Sequence, residues 1–404
     1  DGLAASSPTH GGDDGAASGG GGAGGGSGGA DAAAGAATAV GAINATPKSE
    51  RKRSNSSNSS TPLPPIPISD GEGGGAGGGG SGALASPIVD PNADGDDEYD
   101  QRARKIRSEF GTYSVQAKEV ELFEMIGSGG YADVYRGRCR GEEVAVKVLR
   151  ENKMPDDILN EFVAELKIMS TLYHPNVVLF MGACLEADNL MMITQYLKGG
   201  SVLDVISNVH RPLSLLQQLQ MGRDTCLGMN WLHSRSSPIL HLDLKPANLL
   251  MSDHGAVKVC DFGISRFVAK GERTRDEQGR LRGSLPYMAP ERLKKKSFKT
   301  SADVYSFGIT FWQILSRRSP FRYLEEKFDE MANLDEFLQY FKREICQKHV
   351  RPDLSLLPPC SVSDAVVQLL TACWAPSPKD RPSFAQLIEQ FNKLMLQSAI
   401  PDPL

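Results

Sequence analysis

HLDLKPAN at residues 241–248, followed by DFG at residues 261–263, is the stretch that decides the fold of this chain. The first string puts a carboxylate, an ammonium group and an amide on one short loop. The second puts a carboxylate and a glycine directly after residues 257–260, whose apolar residues alternate as in a strand. A single H-x-D triplet arises by chance in many proteins. Two such strings at this distance are far more specific.

The side chains in these strings suit the transfer of a phosphoryl group. One carboxylate orients the attacking hydroxyl, a second carboxylate and an amide hold a divalent cation, and a lysine neutralises charge on the moving group. Asp243, Asp261, Asn248 and Lys245 are the residues of these types. The sequence therefore predicts phosphoryl transfer from ATP at this loop.

A glycine-rich stretch, GSGGYADVY at residues 127–135, supports this prediction. It lies between two segments with the alternation of strands, residues 120–126 and 143–149, and the second contains VAVK ending at Lys147. Glycines let backbone N–H groups approach phosphates closely. The G-x-G-x-x-G pattern is imperfect because its third position is Ala132. The alternative is a plain hairpin with an exposed lysine.

These motifs together resemble those of the eukaryotic protein kinases, and the similarity runs over residues 118–397. Within that family the chain is most similar to the tyrosine-kinase-like group, which includes Raf-like and mixed-lineage kinases. The strings that carry this similarity are NVVLFMGAC at 176–184 and CW at 373–374 ahead of RPSF at 381–384. The resemblance implies an α+β fold of two lobes, with a small β-rich N-terminal lobe and a larger helical C-terminal lobe. It also implies ATP and Mg²⁺ as cosubstrate and cofactor, and proteins as substrates.

The resemblance assigns catalytic roles to four residues. Asp243 would accept or orient the proton of the substrate hydroxyl, and Lys245 would neutralise the transferring phosphate. Lys147 would reach the α- and β-phosphates and pair with a helix carboxylate. Glu165 is the expected partner, and Glu161, one helical turn earlier, is the alternative.

The same resemblance implies a metal site and a nucleotide site. Asn248 and Asp261 would ligate Mg²⁺. Thr194 would stand at the back of the adenine pocket, and Gln195 and Leu197 would offer backbone groups to the adenine edge. The other residues expected to cover the phosphates or wall the adenine are Ile126, Gly127, Ser128, Gly129, Gly130, Tyr131, Ala132, Asp133, Val134, Ala145 and Leu250.

Two strings indicate which hydroxyl is phosphorylated. DLK at residues 243–245 resembles serine/threonine kinases, whereas tyrosine kinases place Ala and Arg in this region, and GSLPY at 283–287 agrees. We therefore expect a serine/threonine kinase that acts in signal transduction. The alternatives are a dual-specificity kinase and a pseudokinase that signals by binding. The complete set of catalytic and metal-binding residues weighs against the pseudokinase.

Leu242 departs from the family pattern, since most members have Arg at this position. That Arg pairs with a phosphorylated residue of the activation loop, defined here as residues 264–287. Cations within the loop would be screened by solvent, so we expect phosphorylation of Thr274 to change activity by less than about tenfold. The alternative is that a loop base, or a lysine elsewhere, replaces the missing Arg. The loop bases are Arg266, Lys270, Arg273, Arg275, Arg280 and Arg282.

The buried scaffold of the family is also matched. The resemblance implies that Asp303 holds the loop at residues 241–248, and that Glu291 and Arg381 form a buried ion pair. Apolar residues spaced as on one face of a helix predict helices at 157–172, 214–233, 301–315, 325–346, 363–373 and 383–396.

The chain divides into four segments. Residues 1–97 hold no Phe, Trp or Tyr and 25 of the 42 glycines, so they cannot bury enough apolar surface to fold and we expect a disordered tail. Residues 98–117 would be a lead-in, 118–397 the kinase domain and 398–404 a C-terminal tail. Because the chain begins at Asp1 rather than Met, we expect a fragment. An upstream domain or membrane attachment is left open.

Three motifs of the tail have both a functional and an ordinary interpretation. KSERKR at 48–53 resembles a weak nuclear-import or acidic-lipid patch, but a solvated charge run is the favoured interpretation. PLPPIP at 62–67 is either a ligand for SH3- or WW-type domains or a stiff spacer. DPNADGD at 90–96 begins like an EF-hand loop, but its twelfth position is Gln101, which cannot supply the bidentate carboxylate.

Charge and cysteine content exclude several classes of protein. The net charge is −9 over residues 1–100 and +4 over the remainder, a field too weak to predict nucleic-acid binding. The seven cysteines show no zinc-site spacing and indicate reduced thiols in a cytoplasmic or nuclear protein. No apolar run reaches the length of a membrane span.

Overall fold

The computed structural model describes residues 110–129, 131–150, 156–186, 189–268, 272, 274–276, 282–360 and 362–398. Several predictions fall on residues outside these ranges: the tail at 1–97 with its three motifs, Gly130, most of the lead-in segment and most of the C-terminal tail.

The N-terminal part of the described chain is a five-stranded antiparallel sheet in the order β1-β2-β3-β5-β4. Its strands are β1 (Val120–Ser128), β2 (Ala132–Cys139), β3 (Glu142–Leu149), β4 (Phe180–Glu186) and β5 (Asn189–Gln195). Val144 and Val146 are fully buried on one face of β3. Ala145 and Lys147 alternate with them, so their side chains point to the other face, where the site lies.

Helix α1 (Asp156–Met169) belongs to the same lobe. Its buried residues Phe162, Leu166 and Met169 recur at helical spacing and join the hydrophobic core. Glu165 is therefore on a helix whose rotation is fixed by packing.

The C-terminal part of the described chain is mainly helical and also contains two short two-stranded ladders. Its helices are α2 (Val202–Ser207), α3 (Leu215–His233), α4 (Pro290–Leu293), α5 (Ser301–Ser316), α6 (Arg322–Glu325), α7 (Leu334–Cys346), α8 (Ser363–Cys373) and α9 (Phe384–Ser398). The short strands are β6 (Ile239–Leu240), β7 (Leu249–Met251), β8 (Val257–Val259) and β9 (Arg266–Phe267), paired as β6-β9 and β7-β8.

The predicted α+β fold of two lobes is confirmed. A β-sheet lobe precedes a larger helical lobe, and α5, buried along almost its whole length, is the centre of the second. Among the described helices, none is both long enough and apolar enough to cross a bilayer.

The helix predicted at 325–346 is wrong in its extent. The structure has the short helix α6 and then α7, which begins only at Leu334. The side chain of Asn333 accepts a hydrogen bond from the N–H of Glu336 and caps α7. A capping residue has non-helical backbone angles, so one helix cannot run through it.

Gly222 sets how closely α3 and α9 approach. A Cβ at this position would lie 2.6 Å from Phe391 Cζ and 2.8 Å from Phe311 Cε2. Both rings are fully buried and pack edge to face, with centroids 4.9 Å apart. The ring of Phe307 packs against both from another direction, with its centroid 5.8 Å from that of Phe311 and 6.0 Å from that of Phe391, so both rings are confined.

We expect Gly222→Ala to destabilise the protein. Overpacking costs about 1–3 kcal/mol, which exceeds the gain of about 1 kcal/mol from replacing a helical glycine by alanine. Urea unfolding measures the change. Gly111→Ala is the control, because a Cβ there meets no atom within 4 Å. A Gly222→Ala variant as stable as the wild type would contradict the packing described here.

Candidate active site

A cleft of about 1570 Å³ lies between the sheet lobe and the helical lobe, and most of the predicted site residues line it. They are Ile126, Gly127, Ser128, Gly129, Tyr131, Ala132, Val134, Ala145, Lys147, Glu165, Thr194, Gln195, Leu197, Asp243, Asn248, Leu250 and Asp261. Two predicted residues, Asp133 and Lys245, do not line the cleft.

Lys147 on β3 and Glu165 on α1 form an ion pair at the back of the cleft. Lys147 Nζ donates to both carboxylate oxygens, at 2.9 and 2.7 Å, and Glu165 is only 6% exposed. Asp261 Oδ1 lies 3.9 Å from the same ammonium nitrogen. The alternative partner, Glu161, instead pairs with Arg282, at 2.5 Å.

The charged side chains at the back of the cleft shift one another's pKa. Burial disfavours the charged form of Lys147, but the carboxylates of Glu165 and Asp261 outweigh it and raise the pKa of Lys147 above its usual range. Burial likewise opposes ionisation of Asp261, but the nearby ammonium groups of Lys147 and Lys245 lower the pKa of Asp261. The cleft therefore holds a lysine cation and an aspartate anion side by side.

The loop at residues 241–248, called the catalytic loop below, is held from beneath by Asp303. The Asp303 carboxylate accepts hydrogen bonds from the N–H groups of His241 at 2.9 Å and Leu242 at 2.8 Å. The ring of His233 lies 2.8 Å from it. Leu242 has a φ of +69°, a left-handed conformation that is costly for a leucine. These bonds offset the strain and turn the chain so that Asp243 faces the cleft.

Asp243 has partners on both sides. Asn248 Nδ2 donates to its backbone oxygen at 2.8 Å and to Oδ2 at 3.0 Å. The N–H of Ser284 donates to Oδ1 at 2.7 Å. Lys245 Nζ lies 2.8 Å from Oδ2 and donates to Ser284 Oγ at 2.6 Å. Lys245 thus belongs to the site through Asp243.

Asp261 also has a left-handed backbone, with a φ of +63°. The following residue, Phe262, is buried and packs on the ring of His241, with centroids 5.2 Å apart. His241 Nε2 lies 2.9 Å from the carbonyl oxygen of Cys260. Because Phe262 is anchored below, the carboxylate of Asp261 is turned up towards Lys147.

The far end of the cleft is bordered by β5 and the residues after it. Thr194 Oγ1 donates to the carbonyl oxygen of Ala145 at 3.4 Å. Gln195 Oε1 accepts from Lys258 Nζ at 3.0 Å, and the backbone N–H of Gln195 donates to the carbonyl oxygen of Leu179 at 2.9 Å. The backbone group of Gln195 that is left for a ligand is therefore its carbonyl oxygen. The side chain of Leu197 is buried.

The glycine-rich stretch forms the turn between β1 and β2. The N–H of Gly129 donates to the carbonyl oxygen of Ala132 at 2.8 Å. Asp133 points away from the cleft and pairs with Arg150, whose guanidinium lowers the pKa of Asp133 to about 2. Arg150 also donates to Ser128 Oγ. Arg150, which follows β3, thus links the end of that strand to both sides of the turn.

The scaffold residues lie where the resemblance implied. Arg381 and Glu291 form a buried bidentate ion pair, with Nη1–Oε1 at 2.7 Å and Nη2–Oε2 at 2.9 Å. Sequence reasoning missed a second buried pair, between Arg292 and Asp276, at 2.9 Å. Nothing in the pattern around these two residues indicates that they meet, since an arginine at the start of a helix is normally exposed.

Asn248 and Asp261 supply the ligand types that a hard divalent cation prefers, an amide oxygen and a carboxylate. Both line the cleft beside Asp243. Among the described residues there is no cluster of three or more His, Cys, Asp or Glu side chains that would form a dedicated metal site. Two oxygen donors of these types fit a divalent cation whose remaining ligands come from water and a bound ligand.

The sequence is similar to known protein kinases. A family model described as protein tyrosine and serine/threonine kinase matches residues 120–391. Dual specificity protein kinase shkC of Dictyostelium discoideum is 36% identical over 292 residues, which cover 72% of this chain and 54% of that protein. Dual specificity protein kinase shkA of the same organism is 35% identical over 302 residues, 75% of this chain and 54% of that protein.

A plant protein is also similar to this chain. Serine/threonine-protein kinase CTR1 of Arabidopsis thaliana is 36% identical over 287 residues, which cover 70% of this chain and 32% of that protein. The chain thus spans about half the length of the Dictyostelium relatives and less of this plant relative.

We expect Glu165→Gln to make Lys147 more reactive towards an amine-acylating reagent. Removing the carboxylate lowers the pKa of Lys147, and each unit of pKa changes the neutral, reactive fraction about tenfold. Acylation of the Lys147 peptide at pH 9, followed by mass spectrometry, should accelerate by about tenfold or more. Glu161→Gln is the matched control, because Glu161 pairs with Arg282. Equal rates in the two variants would show that Glu165 is not the partner that sets the Lys147 charge.

Proposed function

This chain belongs to the protein tyrosine and serine/threonine kinase family, and we propose that it transfers the γ-phosphoryl group of ATP to serine and threonine residues of proteins. The observation that carries the proposal is the set of charges in one cleft. Lys147 is paired with Glu165 and lies beside Asp261, and Asp243 lines the same cavity. In kinases the lysine–glutamate pair and the metal-binding aspartate must both be in place for transfer.

ATP would occupy the cleft with its adenine against the backbone of Gln195 and Leu197. The apolar side chains of Ile126, Val134 and Leu250 line the cleft and would pack against the adenine ring. The other residues predicted for the nucleotide site that line the cleft would surround them. The turn from Gly127 to Ala132 would cover the phosphates, and Lys147 would neutralise them. An ammonium held charged by two carboxylates suits this task, because it stays protonated throughout the neutral range.

Asp243 is the residue proposed to act on the substrate. Its carboxylate would accept a hydrogen bond from the incoming hydroxyl, orient the oxygen for attack and receive the proton as the bond to phosphorus forms. Asn248, Ser284 and Lys245 hold that carboxylate in place. Lys245 adds a positive charge next to the transferring group, where negative charge must be stabilised.

Family membership implies a divalent metal, and we propose Mg²⁺. Asn248 and Asp261 would hold it, since their oxygen donors match the preference of this ion. Bound there with ATP, the ion would neutralise phosphate charge. The lowered pKa of Asp261 keeps the carboxylate ionised and ready to bind a cation.

Serine and threonine are the proposed acceptors because of the contact between Lys245 and Ser284. It joins the catalytic loop to the end of the activation loop, next to where the hydroxyl would enter. The names of the relatives include both serine/threonine and dual specificity kinases, so tyrosine phosphorylation is the second candidate. Phosphoamino-acid analysis of the products distinguishes the two.

Three further parts of the proposal are supported by the sequence alone. The kinase domain would extend over residues 118–397, slightly beyond the family match. The cytoplasm would be its compartment. The Pro-rich string at residues 62–67 would bind SH3- or WW-type domains.

We expect Asp243→Asn to lower kcat by orders of magnitude, because an amide cannot accept the proton of the hydroxyl. Nucleotide affinity should remain nearly that of the wild type. Steady-state phosphorylation of a serine peptide, with ATP binding by calorimetry, measures both. Asp253→Asn is the matched control, since Asp253 is an exposed carboxylate on the β7–β8 turn. Near-normal turnover by Asp243→Asn would refute the assignment.

A further inference from the structure

Arg292 is a buried arginine that contacts two other segments of the chain. It is 2% exposed, at the start of α4. Its Nη1 donates to the carbonyl oxygen of Leu242 at 2.6 Å. Its Nη2 donates to the carbonyl oxygen of Arg282 at 2.7 Å and to Asp276 Oδ1 at 2.9 Å. One guanidinium thus binds the catalytic loop and two points of the activation loop.

These acceptors occupy key positions. Leu242 directly precedes Asp243, so its carbonyl belongs to the peptide unit that carries the proposed catalytic carboxylate. Arg282 extends the connection, because its side chain pairs with Glu161 on α1, the helix that holds Glu165. The guanidinium of Arg292 therefore lies where the catalytic loop meets the activation loop, and the activation loop in turn contacts α1 through Arg282.

The neighbourhood of Asp276 is fixed by backbone bonds as well. Thr274 and Phe298 exchange N–H···O bonds, at 3.1 and 2.9 Å, in an isolated antiparallel bridge. The guanidinium of Arg292 stacks over the Phe298 ring, 5.3 Å from its centroid. Arg266 Nη1 donates to the carbonyl oxygen of Arg275 at 2.9 Å. Asp276 therefore occupies a defined place within the activation loop.

Because both side chains of the Arg292–Asp276 pair are buried, neither charge is solvated by bulk water. The side chains of Arg292 and Asp276 are 2% and 3% exposed, so each charge depends on the other for compensation. A guanidinium forms the same charge-assisted bonds with a carboxylate as with a phosphate. Most members of the family make such a contact between a phosphate on the activation loop and the arginine that precedes the catalytic aspartate. In this chain the position of that arginine is occupied by Leu242.

We propose that Arg292 and Asp276 form a permanent cation–anion pair that docks the activation loop on the catalytic loop without phosphorylation. Arg292 is a positioning residue, which acts on Asp243 through the carbonyl of Leu242. Asp276 supplies the negative charge that a phosphate supplies elsewhere. This inference rests on the proposed kinase function, because the residue that it positions is Asp243.

The test compares charge variants of the full chain after phosphatase treatment. Asp276→Asn should lower kcat for a serine peptide by about tenfold or more, while the Kd for ATP stays within about threefold, since no nucleotide-binding residue is touched. Asp276→Glu, which keeps the charge, should restore most of kcat. Glu272→Gln is the control, because Glu272 is an exposed acid of the same loop. Wild-type activity in Asp276→Asn would overturn the proposal.

Hydrogen exchange on the wild-type chain provides a test that needs neither a folded variant nor activity. In the dephosphorylated protein, the amides of Thr274 and Phe298 should be protected to the same degree as after stoichiometric phosphorylation of Thr274. Protection that appears only after phosphorylation would overturn the proposal. A wild type that transfers no phosphate, yet shows this protection, would refute the kinase function and leave the docking intact.

Discussion

The buried carboxylate of Asp303 is the interaction on which the site depends. It is fully buried on α5, and it accepts the N–H groups of His241 and Leu242 and faces the ring of His233. Burial opposes its ionisation, but the hydrogen bond and the electrostatic interaction with His233 outweigh this and lower the pKa of Asp303. A helix that is buried along almost its whole length thereby fixes the position of the catalytic loop. Without that anchor, the left-handed conformation of Leu242, worth about 1–3 kcal/mol of strain, would relax and Asp243 would turn away.

The two sides of the cleft are joined in different ways. On the sheet side, Lys147 is fixed by Glu165, which depends on the packing of α1. On the helical side, Asp243 is fixed by backbone bonds and by its neighbours in the loop. Asp261 is in contact with both sides, because Phe262 anchors it below and the ammonium of Lys147 lies above. The distances between the charged groups of the site therefore depend on how the two lobes are placed relative to each other, and neither lobe alone sets them.

Much of this was predictable from the sequence, for identifiable reasons. Lys147, Glu165 and Asp243 lie in strings whose spacing is tied to function, and their elements follow from strand alternation and helix periodicity. The start of α7 was missed because an apolar spacing continues past Asn333, and only the capping bond shows where the helix begins. The Arg292–Asp276 pair was missed for a different reason. It is a tertiary contact between a loop and a helix, and neither residue type at its own position indicates burial.

If the Arg292–Asp276 pair docks the activation loop as proposed, it also bears on how long an active state of this protein would last. A phosphate on a loop is added and removed by enzymes, so an active state that depends on it lasts only as long as the phosphate remains. The carboxylate of Asp276 is part of the polypeptide, its side chain is 3% exposed, and a phosphatase cannot remove it. Termination would then depend on the supply of substrate, on an inhibitory partner or on degradation of the chain. In a kinase of this kind, the amount of the protein present would set how long phosphorylation continues.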